Sequence, residues 1–399
     1  MSRRSLIKGL FILPLSFFTS PKAEAAVADP LKQDFTGELL TIGEGEHGFT
    51  SSGDQSLITR VKLKTDTIEQ SVIPIKWGHL IASIDSNRLL AAGYKSKTLS
   101  IIDRKTFKHK KHLNLPKGYL SSGHFCTGER QLYINLYPDD EKYLHETGAI
   151  GVYDLKNLNL ITVIKTPGYA PHDLELLEEG LLVTSVLAKK SKKGYSYYAN
   201  QGYLAIVDVK HGKVLKSFNP QINATPTHLG VFDKDNIYVA TNQFISINDR
   251  ELLQKHLAKE NSFFSPSNLE YNQKKIGVSS PILKFAANGN RIEQLEEHGD
   301  VQRRLLSFAI NKKRKEVYVT CGHSNTLLTL NALSGKVKRS LSGFELGLSN
   351  IQGVYCLPTG VLGICDTDQG IILYDPTTDK VLRKFDVQLN MSTHLSWTL

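Results

Sequence analysis

The sequence predicts an all-β protein, a seven-bladed β-propeller, and three observations carry that prediction. A unit of four short strands joined by tight turns, about 40 residues long, recurs along almost the whole chain. The third strand of several units ends in the same way, on an aspartate. The first unit has only three strands, and the last residues of the chain supply a fourth.

The unit is plainest at residues 303–341, RRLLSFAINKKRKEVYVTCGHSNTLLTLNALSGKVKRSL. Residues 305–310 are apolar and β-prone, 311–315 make a charged turn, 316–320 and 326–331 alternate, and Ser334-Gly335 turns into 336–341. Taken from the start, segment 37–75 gives three strands, near 39–43, 57–63 and 67–73. The second unit is complete, with strands at 80–84, 89–93, 98–103 and 107–113. Further units run over 122–165, 171–218, 227–295, 303–341 and 350–385. The tail, 393–399, reads as a lone innermost strand that completes the first blade. Joining both ends in one blade hides strand edges that would otherwise invite aggregation.

Third strands end Ile101-Ile102-Asp103, Val152-Tyr153-Asp154, Ile206-Val207-Asp208 and Leu373-Tyr374-Asp375. An aspartate there accepts hydrogen bonds from backbone N–H groups two or three residues on and fixes the turn into the fourth strand, a structural role.

Composition fits a large buried core: 399 residues, 40% of them hydrophobic. Length alone suggests two or three domains, but the repeats argue for one ring. Residues 1–25 read as a twin-arginine signal peptide: Ser2-Arg3-Arg4-Ser5-Leu6-Ile7-Lys8, an apolar run over 10–18, and the cleavage motif Ala23-Glu24-Ala25. The apolar run falls short of the roughly 20 residues of a spanning helix, so no stable membrane span is expected. Residues 26–36 are the expected linker and 37–399 the propeller. The expected address is the periplasm, reached in the folded state and with any cofactor already inserted.

Losing residues 1–25 removes Arg3, Arg4, Lys8, Lys22 and Glu24, four cations and one anion, so the formal charge falls from +10 to +7. An exported basic protein is expected to meet anionic lipid, cell wall or acidic partners rather than nucleic acid. Cys126, Cys321, Cys356 and Cys365 show neither zinc-type nor CxxC spacing, and are expected to be buried free thiols. In the last hairpin Cys356 is expected opposite Val361.

The order of Gly123-His124-Phe125, the stretch 148–154, Pro171-His172-Asp173-Leu174-Glu175, Thr227-His228-Leu229 and the stretch 349–354 resembles YVTN-type, WD40-like propellers, whose blades open on x-Pro-His-x. It is most similar to the twin-arginine-exported propeller family catalogued as domain of unknown function 1513, over nearly the whole mature chain. The resemblance implies a setting beside imelysin-like and di-haem periplasmic proteins linked to iron uptake, with no established reaction.

Aligned blades place His79, His124, His172, His228, Arg304, Gln352 and His394 at the mouths of the innermost strands. Innermost strands line a propeller's channel, so these seven are the candidate ligand-binding residues. Neutral imidazoles there could bind copper, iron or zinc, with His124, His172 and His228 as the candidate metal ligands. Protonated, they could hold an anion beside Arg304. In YVTN-type repeats the same histidine commonly bonds a neighbouring blade and binds nothing. A ring of this diameter favours two or three ligands over five.

The loops expected on this face include the long ones, 44–53, 137–147, 188–201 and 243–279, and His47, His145 and His323 are expected in loops of this face. Segment 189–198 combines four lysines with three tyrosines, and 248–260 reads as a capped helix with Leu252, Leu253, His256 and Leu257 on one face. The chain has no G-x-S-x-G elbow, no H-E-x-x-H pair and no phosphate loop. Its two tryptophans, Trp77 and Trp397, are too few for the docking motifs of quinoprotein dehydrogenases.

The expected function is therefore non-catalytic: an exported binding or scaffold protein, monomeric, holding a periplasmic protein or a small ligand over the loop-rich mouth. The rival is a metalloprotein, redox-active or not, with a transition metal in a histidine-lined channel. A lactonase-like hydrolase would want channel carboxylates, for which Asp173, Glu175, Asp366 and Asp368 are the nearest candidates.

Overall fold

The structure, a computed structural model, describes residues 35–44, 54–139, 147–186, 202–220, 225–242, 280–289, 291–296, 302, 304–367, 369–389 and 394–399. Phe35–Leu399 form one compact unit. The signal peptide, most of the linker, the segments 189–198 and 248–260, and His47, His145 and Asp368 lie outside the described residues.

Seven four-stranded antiparallel sheets make up the fold, the arrangement of a seven-bladed β-propeller. In blade one the order from the axis outward is Leu395–Thr398, Glu38–Glu44, Ser56–Lys62 and Thr67–Ile73. The chain's last strand is thus zipped onto its first, with Thr41 opposite Leu395 and Leu39 opposite Trp397. In the other blades the four strands follow chain order, the innermost being Gly78–Ser83, Tyr119–Thr127, Pro171–Glu178, Thr225–Asp233, Leu305–Asn311 and Ile351–Cys356.

Middle strands are buried on both faces, so they read as continuous apolar runs rather than alternations. Each pair of neighbouring blades shares its own apolar cluster. Leu90, Leu99 and Ile101 of blade two meet Phe125, Leu132 and Ile134 of blade three. Leu373 and Phe385 of blade seven meet Leu39, Val61 and Leu395 of blade one, so the closing interface is packed like the rest. Packing begins at Phe35, which is 3% exposed within this cluster.

The aspartates at the third-strand ends do what the sequence asks of them. Asp103, Asp154, Asp208 and Asp375 accept through Oδ1 from the N–H groups of Thr106, Asn157, His211 and Thr377 at 2.8–3.0 Å. In blade six Asn331 takes the same role toward Leu333 and Ser334. One register expectation is corrected: Cys356 pairs with Leu362, not Val361. The Leu357 N–H donates to the Val361 carbonyl at 2.8 Å and closes a tight loop, so the next pair outward is Cys356 and Leu362. All four cysteines are free.

Candidate metal centre

Each innermost strand after blade one carries a register break near its start, where one to three residues bulge out of the ladder. The breaks fall between Gly78 and Leu80, Ser121 and Phe125, Pro171 and Leu174, Pro226 and Leu229, Leu305 and Ser307, and Ile351 and Val354. A residue in a bulge is released from the strict in-and-out alternation. Four of these bulges hold His79, His124, His172 and His228, while His394 stands directly before the closing strand.

Five imidazoles from blades one to five therefore converge. Ring centroids of His79 lie 4.6 Å from those of His124 and His394, and His172 and His228 lie 4.8 and 5.3 Å from His124. The ligand nitrogens of His79, His124 and His172 all fall within 4.8 Å of one another, and so do those of His124, His228 and His394. His124 belongs to both triads. The trio His124, His172 and His228 that the sequence suggests is split between them.

Arg304 and Gln352, the two remaining sequence candidates, are placed differently. The register of blade six puts Leu306 in the bulge, so Arg304 lies two residues too early to match the histidines. The aligned motif misled because its neighbour is apolar here, and a polar residue nearby was the more attractive match. Gln352 is in its bulge, but its amide donates to Asn350 Oδ1 at 2.6 Å. His323 sits in the short 3-10 turn Gly322–Ser324. Asp366 is a turn-former, accepting from the Asn350 and Gln369 N–H groups.

Behind the imidazoles stand orienting groups that the sequence reading passed over. Asp173 Oδ1 lies 3.0 Å from His124 Nδ1, and the carboxylate also accepts from the Leu174 and Leu229 N–H groups at 2.8 and 2.9 Å. Burial opposes its charge, yet His124 and these donors hold its pKa below the usual value. A carboxylate on Nδ1 fixes the tautomer and leaves the Nε2 lone pair aimed at the centre. Tyr137 Oη lies 3.3 Å from His172 Nδ1 and orients that ring in the same sense. Asp173 follows His172 in the chain but orients His124 of the neighbouring blade, so no local signal marks that role.

Gly123 makes the close packing feasible. Its φ is +95°, and a Cβ there would come within 2.7–2.9 Å of the His79 ring.

The electrostatics keep four of the five imidazoles neutral. Burial, then repulsion from the neighbouring imidazoles, holds His79, His172 and His228 well below the ordinary histidine range, and burial pushes His394 down to about 3. Neutral imidazole is the ligating form. His79 Nε2 lies 2.9 Å from His124 Nε2 and 3.2 Å from His394 Nε2. With His124 Nδ1–H given to Asp173, a single proton on His79 must serve both of those contacts. His228 Nδ1 is buried without a hydrogen-bond partner, its distance to Asp173 Oδ2 being 3.9 Å. A group of lone pairs short of protons is what a cation resolves. With metal–nitrogen bonds near 2.0–2.1 Å, tetrahedral nitrogens stand roughly 3.3 Å apart, so each triad has to contract by small ring rotations.

Two residues further along the same strand, burial and then the charge of Asp173 raise Glu175 to about 8, so it is protonated at neutral pH. Cys126 is pushed well above its ordinary value by burial and then by Glu175 and Asp173, and so is a thiol, not a thiolate ligand.

These features define a β-propeller with a histidine-lined mouth. No protein-family model matches the sequence, and neither does any curated protein. Solved structures do resemble the fold. The chain aligns over 82% of its length with 94% of a Kuenenia stuttgartiensis hydrazine synthase chain (TM-score 0.55, 12% identity). It aligns over 84% with 96% of the WD40 β-propeller domain of Doa1 (TM-score 0.53, 12% identity). The computationally designed protein Ika8 matches 92% of both chains (TM-score 0.55, 11% identity). At such identities the likeness is one of fold alone.

Proposed function

We propose that the protein is an exported metal-binding propeller that holds one divalent transition metal, copper or zinc foremost, at the histidine mouth. The observation that carries this reading is the convergence of five imidazoles, among them the buried His124 and His228, backed by a buried carboxylate on His124 Nδ1. Imidazole donors suit copper, zinc, iron and nickel, and copper(II) binds nitrogen sites most tightly among divalent first-row ions. With no carboxylate in either triad, hard ions such as calcium and magnesium are disfavoured. The twin-arginine motif supports export of an already folded, metal-loaded protein. The resemblance to domain of unknown function 1513 supports a place in iron or redox-metal handling. The role is binding rather than hydrolysis, since Asp366 is committed to backbone amides and Glu175 is protonated.

The test is elemental analysis of protein purified after native export, beside His124→Ala and His228→Ala. About one metal per chain is expected in the wild type. His124→Ala breaks both triads and should abolish binding, whereas His228→Ala spares the triad of His79, His124 and His172 and should only weaken it. Metal-free wild-type protein that also fails to take up copper(II) or zinc(II) in titration would overturn the proposal.

A further inference from the structure

Beside the histidines, at the same ends of the strands, blades one to three enclose a cleft of about 700 Å³. That volume lies in the range of small-molecule sites, roughly 300–1,000 Å³. Trp77 stands two residues before His79, and Ala170, also on the cleft wall, stands two before His172.

The wall combines ring faces with cations. Trp77 and Tyr137 are on the wall, and Tyr94, off the wall, joins them, stacked on Trp77 at 6.3 Å with 29° between the planes and edge to face with Tyr137 at 5.6 Å. Lys76 Nζ lies 4.6 Å from the Trp77 ring centre and Lys95 Nζ 5.5 Å from that of Tyr94. Asp139, buried in the cleft, is offset by Lys97 at 4.0 Å, and of the other charged side chains Lys76 and Lys95 outnumber Asp54.

Two further features set the cleft apart from ordinary surface. Trp77 is 38% exposed, although an indole is normally worth burying. Trp77 and Lys95 also both occupy left-handed backbone, at φ +46° and +55°, a region that costs a bulky side chain energy. The strained backbone presents one ring and one ammonium group to the same space.

We infer that this cleft is a binding site for a small planar anion, an aromatic carboxylate. Its ring packs against Trp77, and its carboxylate meets Lys76 and Lys95. The site goes beyond the metal reading and does not depend on it, because none of the five clustered histidines lines the cleft.

Calorimetric titration of the full mature chain, stripped of metal by a chelator, tests this with 2-naphthoate and with the cation 2-naphthylmethylammonium. One saturable site for 2-naphthoate is expected at millimolar concentration or tighter, with no saturation by the cation. Trp77→Ala and the double change Lys76→Ala with Lys95→Ala should each weaken binding about tenfold or more. Trp77 is partly exposed and Lys76 is exposed, so both variants should melt like the wild type. Absence of saturable binding, equal binding of the cation, or unchanged affinity in both folded variants would overturn the inference. Metal-free protein is used throughout, so failure of the metal proposal leaves this result readable.

Discussion

At Gly123 the absence of a side chain is a functional specification. Because an added Cβ would meet the His79 ring at 2.7–2.9 Å and the backbone is at φ +95°, Gly123→Ala should cost about 1–3 kcal/mol of stability. It should also lower metal affinity at least about tenfold by pushing His79 out of its triad, measurable by competition with a chromogenic chelator. Asp173→Asn keeps the shape but loses the charge, and should lower metal affinity about 10–100-fold with little change in fold, since removing an orienting partner typically has that effect. The histidines also set a sign for pH. Their folded pKa values are depressed, so the unfolded chain binds more protons as pH falls below about 6.5. Stability of the metal-free protein is thus full above that value and is lost toward the folded pKa, about 3 for His394. The loss is about 1.4 kcal/mol per pH unit for each such histidine. Melting curves between pH 7 and pH 4.5 should show the decline, and His394→Gln should flatten it. A decline left intact by that change would show that His394 is not a contributor.

The innermost strand with its bulge is the element that makes the site. Seven-fold repetition was legible because middle strands read as apolar runs and aspartates recur at the third-strand ends. Five of the seven mouth positions were legible as histidines for the same reason. Arg304 was misplaced because bulge length varies between blades, one residue at His79 and three at residues 122–124, and no periodic signal in the chain encodes that slack. Leu306 occupies the blade-six bulge and is buried there. Asp173 and Tyr137 were not legible as orienting groups because each reaches across to another blade's histidine, and a pairing between blades leaves no local pattern. Leu306→His supplies a sixth imidazole at the single-residue bulge that matches that of His79. It should raise zinc affinity, read by the same chelator competition, and an affinity below wild type in a variant of normal melting temperature would show that the bulge does not present the side chain to the cluster.

For the whole molecule, the ring is held shut by a strand of only four residues. The strand Leu395–Thr398 buries Leu395, packs Trp397 over Gly37, and accepts a hydrogen bond from Thr41 Oγ1 at the His394 carbonyl. Arg104 bonds the Leu399 carbonyl and Glu38, and Arg60 in turn bonds the Arg104 carbonyl, so the last blade edge is tied to blade two. Deleting 394–399 should lower stability by about 4 kcal/mol or more, read as a lower melting temperature and early proteolysis at blade one. Unchanged melting would mean that the other three strands suffice. His394 directly precedes this strand, and one of the two triads is incomplete without it. Until Leu395–Thr398 has docked on Glu38–Glu44, the triad of His124, His228 and His394 therefore lacks one of its imidazoles. An open ring and a closed one thus differ in the number of imidazoles at the mouth, four against five, so assembly of the cluster follows closure of the circle.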